Sequence, residues 1–164
     1  MIDIITANGN HLYFEYGGVD IVTNQNIYIA QNLLSKKFSM NNEIKSGKWE
    51  DMQLRKELKA YLDSVLPKSF RDQLKADEYG DYYSIPSVEE LFDSKDDIFK
   101  DSRSYPYKRL EIESRALGEI YWLKNDIASY DGVFCSCCSQ GGSDIQVVTN
   151  EVSVRLRILC TLQK

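Results

Sequence analysis

The stretch Val152-Ser-Val154-Arg155-Leu156-Arg157-Ile158-Leu159-Cys160-Thr-Leu162 decides how the chain reads. Val154, Leu156, Ile158 and Cys160 alternate with Arg155, Arg157 and Leu159. Side chains alternate across a strand with a period of two. The stretch therefore predicts a strand with one face inward and the other mostly outward. Working back, Asp144 to Val148 is its predicted partner, so that the two pair as final strands, and Gly141-Gly142 reads as a turn. Gly132-Val-Phe-Cys135 and the apolar run Ile120-Tyr-Trp-Leu123 predict two further strands.

The first thirty residues carry the same signal. His11-Leu-Tyr-Phe-Glu-Tyr16 and Val19-Asp-Ile-Val22 are separated by Gly17-Gly18, which predicts a hairpin closed by a type I′ turn. Asn26 to Ala30 predicts the next strand.

The middle is helical. From near Asp51, the residues Leu54, Leu58, Tyr61, Leu62 and Val65 form one apolar stripe, with Lys56, Glu57, Lys59 and Asp63 opposite. Pro67 ends that helix, because the residue before a proline is pushed out of the α region. A shorter helix is predicted from Ser69 to Ala76, with Phe70 and Leu74 inward. Ser87-Val-Glu-Glu90 has the spacing of a capping box and predicts a helix from Val88 to Phe92. Ser94-Lys-Asp-Asp97 repeats the signal more weakly before Ile98-Phe99. Strands, then helices, then strands argue for an α+β fold, an antiparallel sheet with two or three flanking helices. The chain reads as one domain over 1–164, with N-terminal strands in 1–30, a helical middle in 49–100 and a C-terminal sheet in 118–164.

Composition bounds the function. The 164 residues hold 20 Lys+Arg against 25 Asp+Glu, a formal charge of −5, and 43% are apolar. That apolar share excludes a disordered chain. The acidic balance argues against general coating of nucleic acid, which relies on Lys and Arg neutralising phosphates. A single histidine, His11, excludes any site in this chain that needs two imidazoles. No stretch reaches the ~18 apolar residues of a membrane helix. The opening Met-Ile-Asp-Ile-Ile lacks a basic n-region, so a cytoplasmic location with reduced thiols is expected.

Several segments together resemble a family of uncharacterised bacterial and phage domains. Its members carry a W-x-x-S-x-L-R-x-W-L-N helix, an L-L-S-x-x-E segment, a W-W-L-R-S-P and a terminal G-V-R-P-A. Here the helix reads Trp49-Glu-Asp-Met-Gln-Leu54-Arg55-Lys-Glu-Leu58, the middle Ser84-Ile-Pro-Ser87-Val-Glu-Glu90, the late motif Tyr121-Trp122-Leu123-Lys124 and the end Val152-Ser-Val154-Arg155-Leu156. That family looks related to C-type-lectin-like domains, including the formylglycine-generating-enzyme branch and the variable proteins of diversity-generating retroelements. The resemblance implies a C-type-lectin-like sheet, with the tryptophan strand and the closing arginine strand in one sheet and a binding surface within Lys124 to Asn150. A phage or mobile-element origin would make the target a host protein, in the host cytoplasm. Four departures stand out. Glu57 replaces a tryptophan, Lys59 an asparagine, Lys124-Asn125-Asp126 the R-S-P and Leu156-Arg157 the P-A.

Each candidate for chemistry has a packing alternative. Cys135-x-x-Cys138 has ligand-like spacing, but a structural zinc site wants four ligands, and only Cys160 and His11 remain. Cys135 and Cys137 share one side of a strand and read as core residues, Cys138 facing the other. No metal or cofactor is expected. His11 reads as a strand-pairing or solvent-facing residue, and Gly141-Gly142-Ser143-Asp144 as a turn, since no P-loop lysine follows. Trp49, Leu54, Arg55 and Trp122 read as structural, and Arg155 as a fork that ties loop carbonyls or a carboxylate to the sheet.

The acidic run is the last candidate: it reads either as solvated helix faces and N-caps or as a patch facing a basic partner. Asp77 to Asp101 holds nine acids and two bases, a net of −7, against +2 over the rest of the chain. Eleven tyrosines accompany it, with Tyr79, Tyr82, Tyr83, Tyr105, Tyr107 and Tyr130 in or beside predicted loops. An acidic, tyrosine-rich surface suits binding a protein with a basic surface. The expected contacts are Tyr130, Asp131, Gln140 and Asp144, with Asp93, Asp96, Asp97 and Asp101 alongside. The reading is a non-catalytic protein-binding module that engages or inhibits a host protein. The alternatives are an enzyme of the formylglycine-generating type using cysteine or metal chemistry, and a structural protein that self-assembles into a homo-oligomer.

Overall fold

The computed structural model describes residues 2–45, 47–92, 115–127 and 131–161. In chain order the strands are β1 (Ile2–Ile5), β2 (His11–Val19), β3 (Asn26–Ala30), β4 (Leu74–Lys75), β5 (Tyr121–Asp126), β6 (Val133–Cys137), β7 (Ser143–Val147) and β8 (Arg157–Cys160). The helices are α1 (Leu54–Val65), α2 (Lys68–Arg71) and α3 (Val88–Leu91), and a 3-10 turn spans Trp49–Asp51. A five-stranded sheet has the order β1-β2-β3-β8-β4, and a three-stranded sheet the order β5-β6-β7. Every pairing between these strands is antiparallel. The fold is α+β.

The closing strand differs from its sequence reading in two respects. It does not pair with β7, which pairs with β6; β8 instead lies between β3 and β4. It has no outward face either: Arg155, Arg157 and Leu159 are 1%, 5% and 2% exposed. Both sides of the strand are covered, so period two divides two buried environments instead of core from solvent. Ile158 and Cys160 join a larger core with Leu12, Phe14 and Tyr28 of the sheet and Leu54, Leu58 and Leu62 of α1. Leu159 joins a smaller core with Ile27 and Ile29, Val88 and Leu91 of α3, and Tyr121, Leu123, Cys135 and Cys137 of the small sheet. Each buried leucine contributes about 1.5–3 kcal/mol.

Three local readings are also corrected. Gly17-Gly18 is not a hairpin turn but a bulge inside β2, where Tyr16 opposes Tyr28 and Gly18 opposes Ile27. Gly18, at φ +116°, takes a conformation that glycine tolerates. The turn falls at Asp20–Gln25, where the Asp20 carboxylate accepts from the Thr23 amide at 2.9 Å and its hydroxyl at 2.6 Å. Second, the helix expected over 69–76 stops at Arg71, and Leu74 sits in β4 opposite Cys160. The open edge of β8 takes those backbone groups into the sheet. Third, the helix expected from Asp51 opens at Leu54, after the 3-10 turn.

The small sheet is anchored to the larger core by Trp122, which is fully buried and donates its indole N–H to the Phe38 carbonyl at 2.8 Å. Arg155 lies in the segment leading into β8. It donates to the Ala30 carbonyl at 2.7 Å and to the Tyr121 hydroxyl at 3.1 Å. The expected helix at Ser94–Asp97 lies outside the described residues.

Candidate functional site

A cleft of about 520 Å³ opens where β8, the start of α3, the end of β5 and three loops meet. Its walls are built from residues far apart in sequence, and each wall has an identifiable support.

Arg157 projects from the α3-facing side of β8. Its Nε donates to Glu90 Oε2 at 2.9 Å and its Nη2 to Asp20 Oδ1 at 3.3 Å. Burial opposes the guanidinium charge, yet the two carboxylates outweigh it and hold the proton more firmly than usual. Burial likewise opposes ionisation of Asp20, but the Thr23 bonds and Arg157 outweigh it and bring that carboxyl below its ordinary value. Glu90 has a second task. Its Oε1 accepts from the Ser87 amide at 3.0 Å, while the Ser87 hydroxyl accepts from the Glu90 amide at 3.3 Å. The capping box expected from the sequence thus also supplies the counter-ion for Arg157.

Asn125 ties α3 to β5. Its side-chain oxygen accepts from the Val88 amide at 2.8 Å, and its Nδ2 donates to both carboxylate oxygens of Glu89 at 3.0 Å. Arg55 braces the opposite wall. It donates to Asp81 Oδ2 at 2.7 Å and Oδ1 at 3.1 Å, to the Glu50 carbonyl at 2.5 Å and to the Tyr79 carbonyl at 3.2 Å. Two loops that share no secondary structure are thereby held on one guanidinium, and both line the cleft. A bidentate fork fixes geometry in a way a lysine does not.

Lys124 is the unusual member. Its ammonium lies 5.8 Å from the Trp49 ring centre and 5.7 Å from that of Tyr79, within cation–π range. It makes no ion pair among the described residues. Burial pushes its pKa down and Arg157 adds to that, while Glu90, Asp77 and Glu78 pull the other way. Trp49 is 3% exposed, and its indole N–H has no acceptor among the described residues. Six carboxylates line the cleft against three cations: Asp20, Glu50, Glu78, Glu89, Glu90 and Asp126 against Lys48, Lys124 and Arg157.

The residues expected to bind a partner are not gathered here. Asp131 precedes β6 and Gln140 follows it, so they lie at opposite ends of that strand, with Asp144 on β7 opposite Ser136. All three are exposed and none lines the cleft. Tyr130, Asp93, Asp96, Asp97 and Asp101 lie outside the described residues. Of the residues read as structural, Leu54, Trp122 and Arg155 are fully buried, while Trp49 and the loops held by Arg55 form cleft wall. The cysteines are divided. Cys135 and Cys137 pack in the smaller core and Cys160 in the larger, on the other side of β8. Burial pushes the Cys137 thiol up, away from the reactive thiolate. Cys138 accepts from the Gly142 amide at 3.2 Å in the β6–β7 turn. His11 is exposed at the start of β2, its Nδ1 3.0 Å from Asp3 Oδ1 of β1.

Nothing in the sequence marks Asp20, Lys124 or Arg157 as a site residue. Only their placement by the fold reveals them, since Asp20 and Arg157 stand 137 residues apart. No protein family, curated protein or solved structure matches the chain.

Proposed function

We propose that the chain is a non-catalytic binding module that engages a basic segment of another protein through this cleft. The observation that carries the reading is the grouping of Glu50, Glu78 and Asp126, all exposed, beside Ile21 and Val22, which are 71% and 60% exposed on the same rim. Clustered carboxylates raise the encounter rate with a basic partner and select it. Neighbouring apolar side chains supply the area whose burial gives affinity.

Fluorescence anisotropy with a labelled Lys/Arg-rich peptide at low salt tests this. Reversing Glu50, Glu78 and Asp126 to Lys is expected to weaken binding about tenfold or more. The same reversals at Glu57, Asp72 and Glu151, none of which lines the cleft, should change it less than about twofold. Equal losses from the two sets would reduce the effect to bulk charge and sink the reading.

The C-type-lectin-like assignment belongs to the same proposal. The tryptophan strand β5 and the closing strand β8 lie in different sheets, not in the one sheet that the resemblance implies. Besides the motifs, the support is the isolated bridge between Tyr121 and Ser153, with the Trp122 amide donating to the Ser153 carbonyl at 3.2 Å. That contact joins the tryptophan strand to the segment carrying Arg155.

A further inference from the structure

The cations that face inward near the cleft are matched. Arg157 holds Glu90 and Asp20, and Arg55 holds Asp81. Lys124 differs, since it lies over the faces of Trp49 and Tyr79 and makes no ion pair among the described residues. A half-buried ammonium with no such ion pair is incompletely solvated, and an arriving anion relieves that cost. The buried indole N–H of Trp49, whose ring the ammonium overlies, also has no acceptor among the described residues, and such a donor gains when one arrives. One carboxylate offers two oxygens, one for each of these donors.

The surroundings restrict which anion fits. With six carboxylates against three cations on the lining, a multiply charged anion such as phosphate meets net repulsion. A single carboxylate that brings its own positive charge does not, because that charge faces Glu50, Glu78 and Asp126.

We infer that Lys124 and Trp49 form a carboxylate subsite within the cleft, which reads a carboxylate placed next to a basic side chain in the bound segment. The inference rests on the binding-module reading and names the chemistry of its ligand. A chain-terminal carboxylate and an acidic side chain both offer that chemistry.

Trp49 and Trp122 are the only tryptophans, so a nitrogen-15 correlation spectrum carries two indole signals. Trp122 is already bonded to Phe38 and serves as the internal reference. Four probes suffice: acetyl-Ala-Ala-Lys as the free acid, the same peptide amidated, the amidated peptide extended by Glu, and inorganic phosphate. The expected result is a saturable shift of the Trp49 signal with one or both carboxylate peptides, which bind about tenfold tighter than the amide. The tighter of the two identifies the source of the carboxylate. Lys124→Met should abolish that preference while keeping the amide's own weak binding. Trp49→Phe, which keeps an aromatic ring and removes the donor, has no reporter indole and is read by fluorescence anisotropy of the labelled peptides, where the preference should fall about threefold. The amide binding as tightly as both acids would overturn the subsite and leave the binding module standing. Binding of no peptide would overturn both, and phosphate binding tighter than the peptides would overturn the subsite.

Discussion

On one side of β8, Ile158 and Cys160 enter the larger core with Leu58 and Leu62. On the other, Leu159 packs toward α3 while Arg157, two residues before it, holds Glu90 and Asp20. Residues on both sides are buried, so burial alone does not separate them. The apolar side needs only volume and shape. The charged side needs three groups from three parts of the chain in register, and that requirement is what builds the cleft wall. One side serves stability, and the other fixes the geometry a ligand meets.

The largest expected effect tests the apolar side. Leu58→Ala leaves a cavity in the larger core and should cost about 3–5 kcal/mol in urea denaturation. Peptide affinity of the folded variant should stay within about twofold. A parallel loss of affinity would show that the two sides are one coupled unit. Next comes Glu90→Gln, which keeps the cap's shape but takes one counter-charge from Arg157 while Asp20 remains. It should cost about 2 kcal/mol and, unlike Leu58→Ala, also weaken peptide binding. The smallest effect is in acid. The Asp20 carboxyl lies below its ordinary value in the folded state, so its contribution is present above the unfolded value of about 3.9 and lost as pH falls through the folded one. Thermal melts taken from about pH 5 downward should therefore decline less steeply for Asp20→Asn than for the parent chain. An identical acid limb would remove Asp20 from the charged side.

What was legible in the sequence follows the range of the interactions. The stripe Leu54, Leu58, Leu62 and the box Ser87–Glu90 are set by contacts three or four residues apart, and both form where expected. Asn26–Ala30 likewise forms as expected. Period two in β8 was read correctly as alternation and wrongly as inside against outside. Periodicity says which residues share a side, and only α3 and the small sheet, arriving from elsewhere, decide that the second side is covered. The glycine pair misled because glycine serves bulges as readily as turns, while the turn chemistry sat in Asp20 and Thr23. The cleft was legible only in its parts. Glu90 was visible as a cap and Arg157 as an alternating residue, but nothing local joins them to Asp20.

The position of β8 also sets an order of events. It inserts between β3, made early, and β4, made midway, and bonds to both. Until it arrives, β3 has one open edge, β4 has no partner strand among the described residues, and Glu90 and Asp20 lack their shared guanidinium. The five-stranded sheet therefore closes late, through contacts of long sequence separation, which makes for slow folding. Before closure β3 presents the kind of bare edge on which chains pair with one another.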